Sequence, residues 1–251
     1  MLTRSKVIVL SGVSPLYAEL KELLESRNYQ VISLEQAESY QNQIEIALEV
    51  SNLDLNAKRL TIQKMDAALA SHVPILATSM AVTATEIASW TLSPERVCGF
   101  GTFAPLSERN LIELAPALQT GTLTIEKAKT FIESLGKETA QVDDEVGLIF
   151  PRILSLIVNE AVFALMEGIA APEDIDIAMR KGTNYPYGPL EWADRIGLDE
   201  VYSVVQGLHR DLAEERYRPA PLLRKLVLAG RIGKQSGHGF YQYEKQEGSS
   251  S

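Results

Sequence analysis

The 251-residue chain predicts an α/β fold, a doubly wound parallel sheet over residues 1–143, followed by an all-α region over 144–251. Two observations carry this expectation. Short β-rich apolar runs alternate with segments of helical periodicity as far as Val142, the pattern of parallel strands joined by helical crossovers. Beyond Asp143-Asp144 the β-rich runs stop and amphipathic stripes take over.

The elements follow in order. Val7 to Leu10 is a continuous apolar run, as a strand buried on both faces requires. Ser14-Pro15 reads as a helix N-cap with proline at the first helical position, and Leu16, Leu20, Leu23 and Leu24 make one apolar face behind it. Strands are expected at Gln30–Leu34, ending at Glu35, and at Ile44–Val50. A helix over about Leu55–Ala70 leads to strands at Val73–Thr78 and Val97–Phe100. Ile125, Ala128, Phe131, Ile132 and Leu135 mark another helix before a last strand at Glu138–Val142. In the second half, Ile153 to Leu165 forms a long stripe closed by Gly168, and Pro172-Glu173-Asp174 opens the next helix. Tyr185–Pro189 is a turn, and helices continue to about Gly230.

Composition narrows the function classes. Lys and Arg number 24 against 33 Asp and Glu, a net charge of −9, which disfavours nucleic acid and anionic membranes as partners. One cysteine forbids an intrachain disulfide, and one cysteine with three histidines argues against a metal site. The run Val7–Leu10 is too short for a signal core, so a cytoplasmic location is expected. Gly248–Ser251 reads as a frayed tail. His72, His209 and His238 share no motif, and Cys98 reads as a small buried apolar residue. Trp192 reads as a packing residue, and Gly230–Gln235 as a turn that lacks the Ser/Thr of a phosphate loop.

Several blocks then stand in a recognisable order. They are Asn159-Glu160-Ala161, Pro172-Glu173-Asp174-Ile175-Asp176, Tyr185-Pro186-Tyr187-Gly188-Pro189-Leu190-Glu191, Asp194 with Ile196-Gly197-Leu198-Asp199, and Gly233-Lys234-Gln235-Ser236-Gly237-His238-Gly239-Phe240-Tyr241. With Gly99–Pro105 and Leu111-Ile112-Glu113 in the first half, the chain resembles the 3-hydroxyacyl-CoA dehydrogenases over nearly its whole length. The resemblance implies a Rossmann-like domain for NAD followed by an α-helical dimerisation domain. It also implies an acyl-CoA ligand and hydride transfer at the 3-hydroxyl carbon.

The implied site is altered at most positions. The stretch matching the glycine fingerprint is Ser11-Gly12-Val13-Ser14-Pro15-Leu16, with Ser11, Val13 and Leu16 where glycines belong. Gly12 and Ser14 are the candidates left for a cofactor contact there, and Glu35 stands at the position of the ribose-binding acid. The catalytic histidine position is Gly101, while its paired acid is retained as Glu113. The polarising asparagine position is Pro151, which has neither an amide side chain nor an N–H. The substrate segment corresponds to Ser79-Met80-Ala81-Val82, leaving Ser79 as its polar member. Gln36–Gln43 replaces a longer helical insertion that contributes CoA contacts in the family. Three expectations compete: a member with impaired or lost NAD-dependent catalysis, a working dehydrogenase using other residues such as Glu113, and a non-catalytic assembly subunit acting through the helical domain.

Overall fold

The computed structural model describes residues 6–244; the Gly248–Ser251 tail read above lies outside the described residues. The chain divides into two compact units, one running to Arg152 and the other from Ile153.

The first unit is built on a seven-stranded sheet: β1 (Lys6–Ser11), β2 (Tyr29–Ile32), β3 (Ile44–Glu49), β4 (Ile75–Thr78), β5 (Val97–Gly101), β6 (Leu111–Pro116) and β7 (Glu138–Gln141). The spatial order is β2-β1-β3-β4-β5-β6-β7, and every neighbouring pair is parallel except β5 with β6. The doubly wound parallel sheet expected from sequence is present, with one antiparallel pair within it. Only the turn and short 3₁₀ segment around Leu106–Glu108 separate β5 from β6, too little chain for a crossover, so β6 returns antiparallel.

Side chains of the strands alternate between two buried faces. Ile8 and Leu10 pack with α1 (Pro15–Ser26) and α4 (Thr122–Ser134). Val7 and Val9 pack with α2 (Leu55–Ala68) and α3 (Ala84–Ser89). Both faces being covered explains the continuous apolar run of β1. Glu35 does not end β2; it stands exposed in a 3₁₀ segment, Leu34–Tyr40, that fills the short connection to β3. That connection sets β3 directly beside β1. The strand order reverses there, and the carboxyl ends of β1 and β3 flank the crevice where such sheets bind ligands.

The second unit is helical: α5 (Phe150–Met166, from Ile153 on), α6 (Pro172–Thr183), α7 (Pro189–Ile196), α8 (Leu198–Leu212) and α9 (Pro221–Leu228). Leu154, Val158, Val162, Leu190, Ala193, Val201, Val204 and Leu208 form its interior. Trp192 is buried edge-on against Tyr185 and Tyr187. No helix among the described residues is long and apolar enough to cross a membrane.

Candidate functional site

The β5–β6 pairing sets the two positions of the implied acid–base pair side by side, since Gly101 is the register partner of Glu113. Both are buried. What surrounds them differs from an acid–base pair. A Cβ built on Gly101 would run into Leu148 Cδ1, with Leu148 Cγ and Met80 Cγ each 3.4 Å away. The volume beside Gly101 is therefore occupied by leucine. Leu148 is 4% exposed and held at φ 53°, its N–H donating to the Glu145 carbonyl at 3.0 Å.

Glu113 is retained but committed elsewhere. Its Oε2 accepts the Ile149 N–H at 2.7 Å and its Oε1 the Phe150 N–H at 2.8 Å. Those two N–H groups lie where α5 begins, so they have no intrahelical acceptors. A carboxylate bridging them is a charge-assisted cap. Pro151, buried in the first turn of the same helix, requires no N–H partner there. Ser79 is fully buried, its N–H donating to the Phe100 carbonyl at 2.9 Å. Its Oγ lies so close to Gly99 that a Cβ there would overlap it. That places Ser79 between β4 and β5, beneath the crevice.

At the carboxyl end of β1 three backbone donors are taken by protein groups. The Val13 N–H donates to Ser51 Oγ at 2.9 Å. Ser14 Oγ accepts the Leu16 N–H at 3.2 Å and the Ser14 carbonyl accepts the Tyr17 N–H at 3.0 Å, while Pro15 has no N–H. Gly12 adopts φ 118°, and a Cβ on it would sit 2.8 Å from the N atoms of Val50 and Ser51. This glycine is needed for backbone closeness. Leu16 packs in the core, and Val13 is 88% exposed. Ser33 and the local backbone hold the Glu35 carboxyl below its usual range, a hydrogen-bonding arrangement confined to its own turn.

Sequence reasoning missed the buried cluster behind this loop. Lys58 Nζ pairs with Glu49 Oε2, both side chains having no exposure, and also donates to the Ser51 carbonyl at 2.9 Å and to Thr78 Oγ1 at 3.1 Å. A signal existed. Lys58, Ile62 and Met65 share one stripe of α2, which places a lysine on the buried face. Asp144 was also missed; its carboxylate accepts the Ala84 and Thr85 N–H groups at 2.7 Å each and so caps α3. Cys98 is buried, and burial pushes its thiol up to about 12. No group of three or more His, Cys, Asp or Glu able to hold a metal is present among the described residues.

Comparison with known proteins places this arrangement. Residues 18–145 match the family model described as the 3-hydroxyacyl-CoA dehydrogenase NAD binding domain, and residues 147–243 match that family's C-terminal domain. The 3-hydroxybutyryl-CoA dehydrogenase of Bradyrhizobium diazoefficiens is 38% identical over 200 residues, covering 80% of this chain and 67% of that protein. The human mitochondrial hydroxyacyl-coenzyme A dehydrogenase is 32% identical over 209 residues, covering 83% of this chain and 67% of that one. The crystal structure of (S)-3-hydroxybutyryl-CoA dehydrogenase from Ralstonia eutropha superposes with a TM-score of 0.74 at 26% identity, covering 97% of this chain and 100% of that chain. The chain therefore belongs to the 3-hydroxyacyl-CoA dehydrogenase family, whose N-terminal domain takes NAD as cofactor.

Proposed function

We propose that this protein is a 3-hydroxyacyl-CoA dehydrogenase-like member of acyl-CoA metabolism in which NAD-dependent turnover is impaired or lost. One observation carries the reading: at the β5–β6 pair, leucine fills the space beside Gly101, and both oxygens of Glu113 are bound to backbone N–H groups. Dehydrogenation needs a base within about 3 Å of the hydroxyl proton. Glycine offers none, and a carboxylate serving as a helix cap loses its cap when it takes up a proton. Loss of a general base alone typically slows turnover roughly 10²- to 10⁴-fold.

The residues at the β1–α1 turn do not fit the dinucleotide in the manner of a glycine loop. Pyrophosphate needs inward-facing N–H groups at a helix N-terminus. Here those of Val13, Leu16 and Tyr17 have acceptors within the protein, and Pro15 lacks one. The short Leu34–Tyr40 segment also removes the insertion that brings CoA contacts in the family.

The assay is NADH oxidation with acetoacetyl-CoA, and NAD reduction with (S)-3-hydroxybutyryl-CoA, on protein shown to be folded. The expected result is no turnover above background. A kcat in the ordinary range of about 1–10³ s⁻¹ refutes the reading.

A second reading, an assembly subunit that pairs with itself or an active relative, is favoured by the second unit. Ile153, Ile157 and Ala161 of α5, with Ile175 and Met179 of α6 and Pro189, line an apolar cavity of about 510 Å³. A second helical surface would cover it, and sedimentation of the purified protein tests for a dimer.

A further inference from the structure

We infer that the first unit carries a small-molecule site at the amino ends of its parallel strands, built for a zwitterion with an apolar side chain, that is, an apolar α-amino acid. The site uses no residue of the β5–β6 pair or of the turn after β1, so it stands apart from the functional reading above.

Lys6, Tyr29 and Ile44 are the first residues of β1, β2 and β3, at the end of these strands opposite the crevice. With α4 they enclose a cavity of about 570 Å³, inside the range of about 300–1,000 Å³ found for small-molecule sites. Every residue lining it belongs to the first unit. Its floor is apolar and fixed. Ile46 and Phe131 are buried, and the Tyr29 ring meets Phe131 edge-on at 5.8 Å. The Tyr29 hydroxyl shares a hydrogen bond with Ser134 Oγ at 2.9 Å. Leu123 of α4 lines the same cavity yet is 64% exposed, an apolar surface left for a ligand to cover.

The charges at the cavity select the ligand. Lys6 and Glu45 neutralise each other, with Lys6 Nζ 3.1 Å from the Glu45 carboxylate. Lys127 and Glu126 do not. Lys127 Nζ donates to the His72 carbonyl at 3.1 Å, a neutral acceptor, and keeps spare donors. Neither Lys127 nor Glu126 has an ion-pair partner among the described residues. One cation and one anion, neighbours on α4, thus line a cavity with an apolar floor. A lone carboxylate would satisfy Lys127 and oppose Glu126, and a lone amine would do the reverse. An α-amino acid carries both charges on one carbon, and its side chain covers the apolar floor.

The test titrates isotope-labelled protein, followed by amide NMR, with L-phenylalanine, with hydrocinnamate, which lacks the ammonium, and with phenethylamine, which lacks the carboxylate. L-Phenylalanine is expected to bind with a Kd of about 1 mM, and each singly charged analogue about 2- to 5-fold more weakly. Lys127→Gln should weaken L-phenylalanine about 2- to 5-fold and leave phenethylamine unchanged, and Glu126→Gln should weaken it similarly and leave hydrocinnamate unchanged. Leu123→Ser, at an exposed position the fold does not need, should weaken all three. No saturable shifts at about ten times the expected Kd overturns the inference. So does an analogue that binds as tightly as the amino acid, or wild-type affinity for L-phenylalanine in both charge variants. Turnover with acetoacetyl-CoA would defeat the functional proposal above while leaving this comparison intact.

Discussion

The leucine beside Gly101 makes a sign prediction that separates a filled base position from an empty one. Gly101 lies in β5 without a positive φ, so replacing it by alanine where space allowed should stabilise the protein by about 0.4–1 kcal/mol through the unfolded chain. Here the new methyl meets Leu148 Cδ1, and Leu148 is buried on a backbone already at φ 53°. Overpacking of this kind costs about 1–3 kcal/mol. Gly101→Ala should therefore destabilise. Leu148→Ala alone removes a buried leucine side chain and should cost about 2–5 kcal/mol. Combined, the two should be far from additive: in the Leu148→Ala background the alanine at 101 should cost nothing or help slightly, a coupling of about 1–3 kcal/mol. Urea unfolding reads each corner of the cycle. The chain has two tryptophans, Trp90 in the first unit and Trp192 in the second. In a Trp192→Phe background, fluorescence follows the unit that holds the mutations. If Gly101→Ala is neutral or stabilising in wild type, or costs the same in both backgrounds, Leu148 does not occupy the position. A single Gly101→His substitution would then have room for its ring.

Two further outcomes follow from the same geometry. Glu113→Gln replaces one accepting oxygen by an amide NH2 that faces an N–H donor, and should destabilise the protein by about 1.5–3 kcal/mol in urea, whereas Glu35→Gln on the exposed 3₁₀ turn should stay within about 0.5 kcal/mol. Tyr241 and Tyr243 are both raised above the usual tyrosine value, chiefly by burial and then by Asp176 and Asp194 respectively. Their contribution to stability is therefore full below the unfolded value near 10 and is lost as pH climbs through the raised folded values; an absorbance titration compared with those of Tyr241→Phe and Tyr243→Phe should show these two tyrosines ionising late or only with unfolding, and their ordinary titration in folded protein would contradict it.

The sequence made the alternation of strands and helices legible because β1, β3, β4 and β5 are buried on both faces and the helices between them on one. β6 escaped because Leu111-Ile112-Glu113 was read for its chemistry, and nothing local announces that a strand runs antiparallel. The altered positions Gly101 and Pro151 were visible as residue types. Their consequences were not, since Leu148 reaches Gly101 across 47 positions and Glu113 reaches Ile149 across 36. The Ser51–Val13 bond spans 38 positions and leaves no periodic trace. Pattern reports which face a side chain takes; it does not report which distant backbone group that side chain will meet.

The second unit shows why family likeness can persist independently of the β5–β6 positions. Its recognisable blocks are the ones that close around two buried carboxylates. Asp176 accepts the N–H groups of Leu190 and Glu191 at 2.8 and 2.9 Å, at the start of α7, and the Tyr241 hydroxyl at 2.7 Å. Asp194 accepts the N–H groups of Phe240 and Tyr241 and the Tyr243 hydroxyl, each at 2.9 Å. Gly188 lies against Asp176, and Gly233 and Gly239 lie against Asp194, so tightly that no Cβ fits at any of the three. Replacing Asp176, Asp194 or Tyr241 would leave buried groups of these clusters unsatisfied, at a cost of about 1–3 kcal/mol each, and a side chain at Gly188, Gly233 or Gly239 would force backbone apart. Those demands come from folding and hold whether or not a hydride moves. Gly101 and Pro151 answer to chemistry instead: glycine leaves room for Leu148, and proline suits the first turn of α5. A chain that keeps the first set and alters the second retains its fold under the same packing constraints as its relatives, which is what the proposed loss of turnover requires.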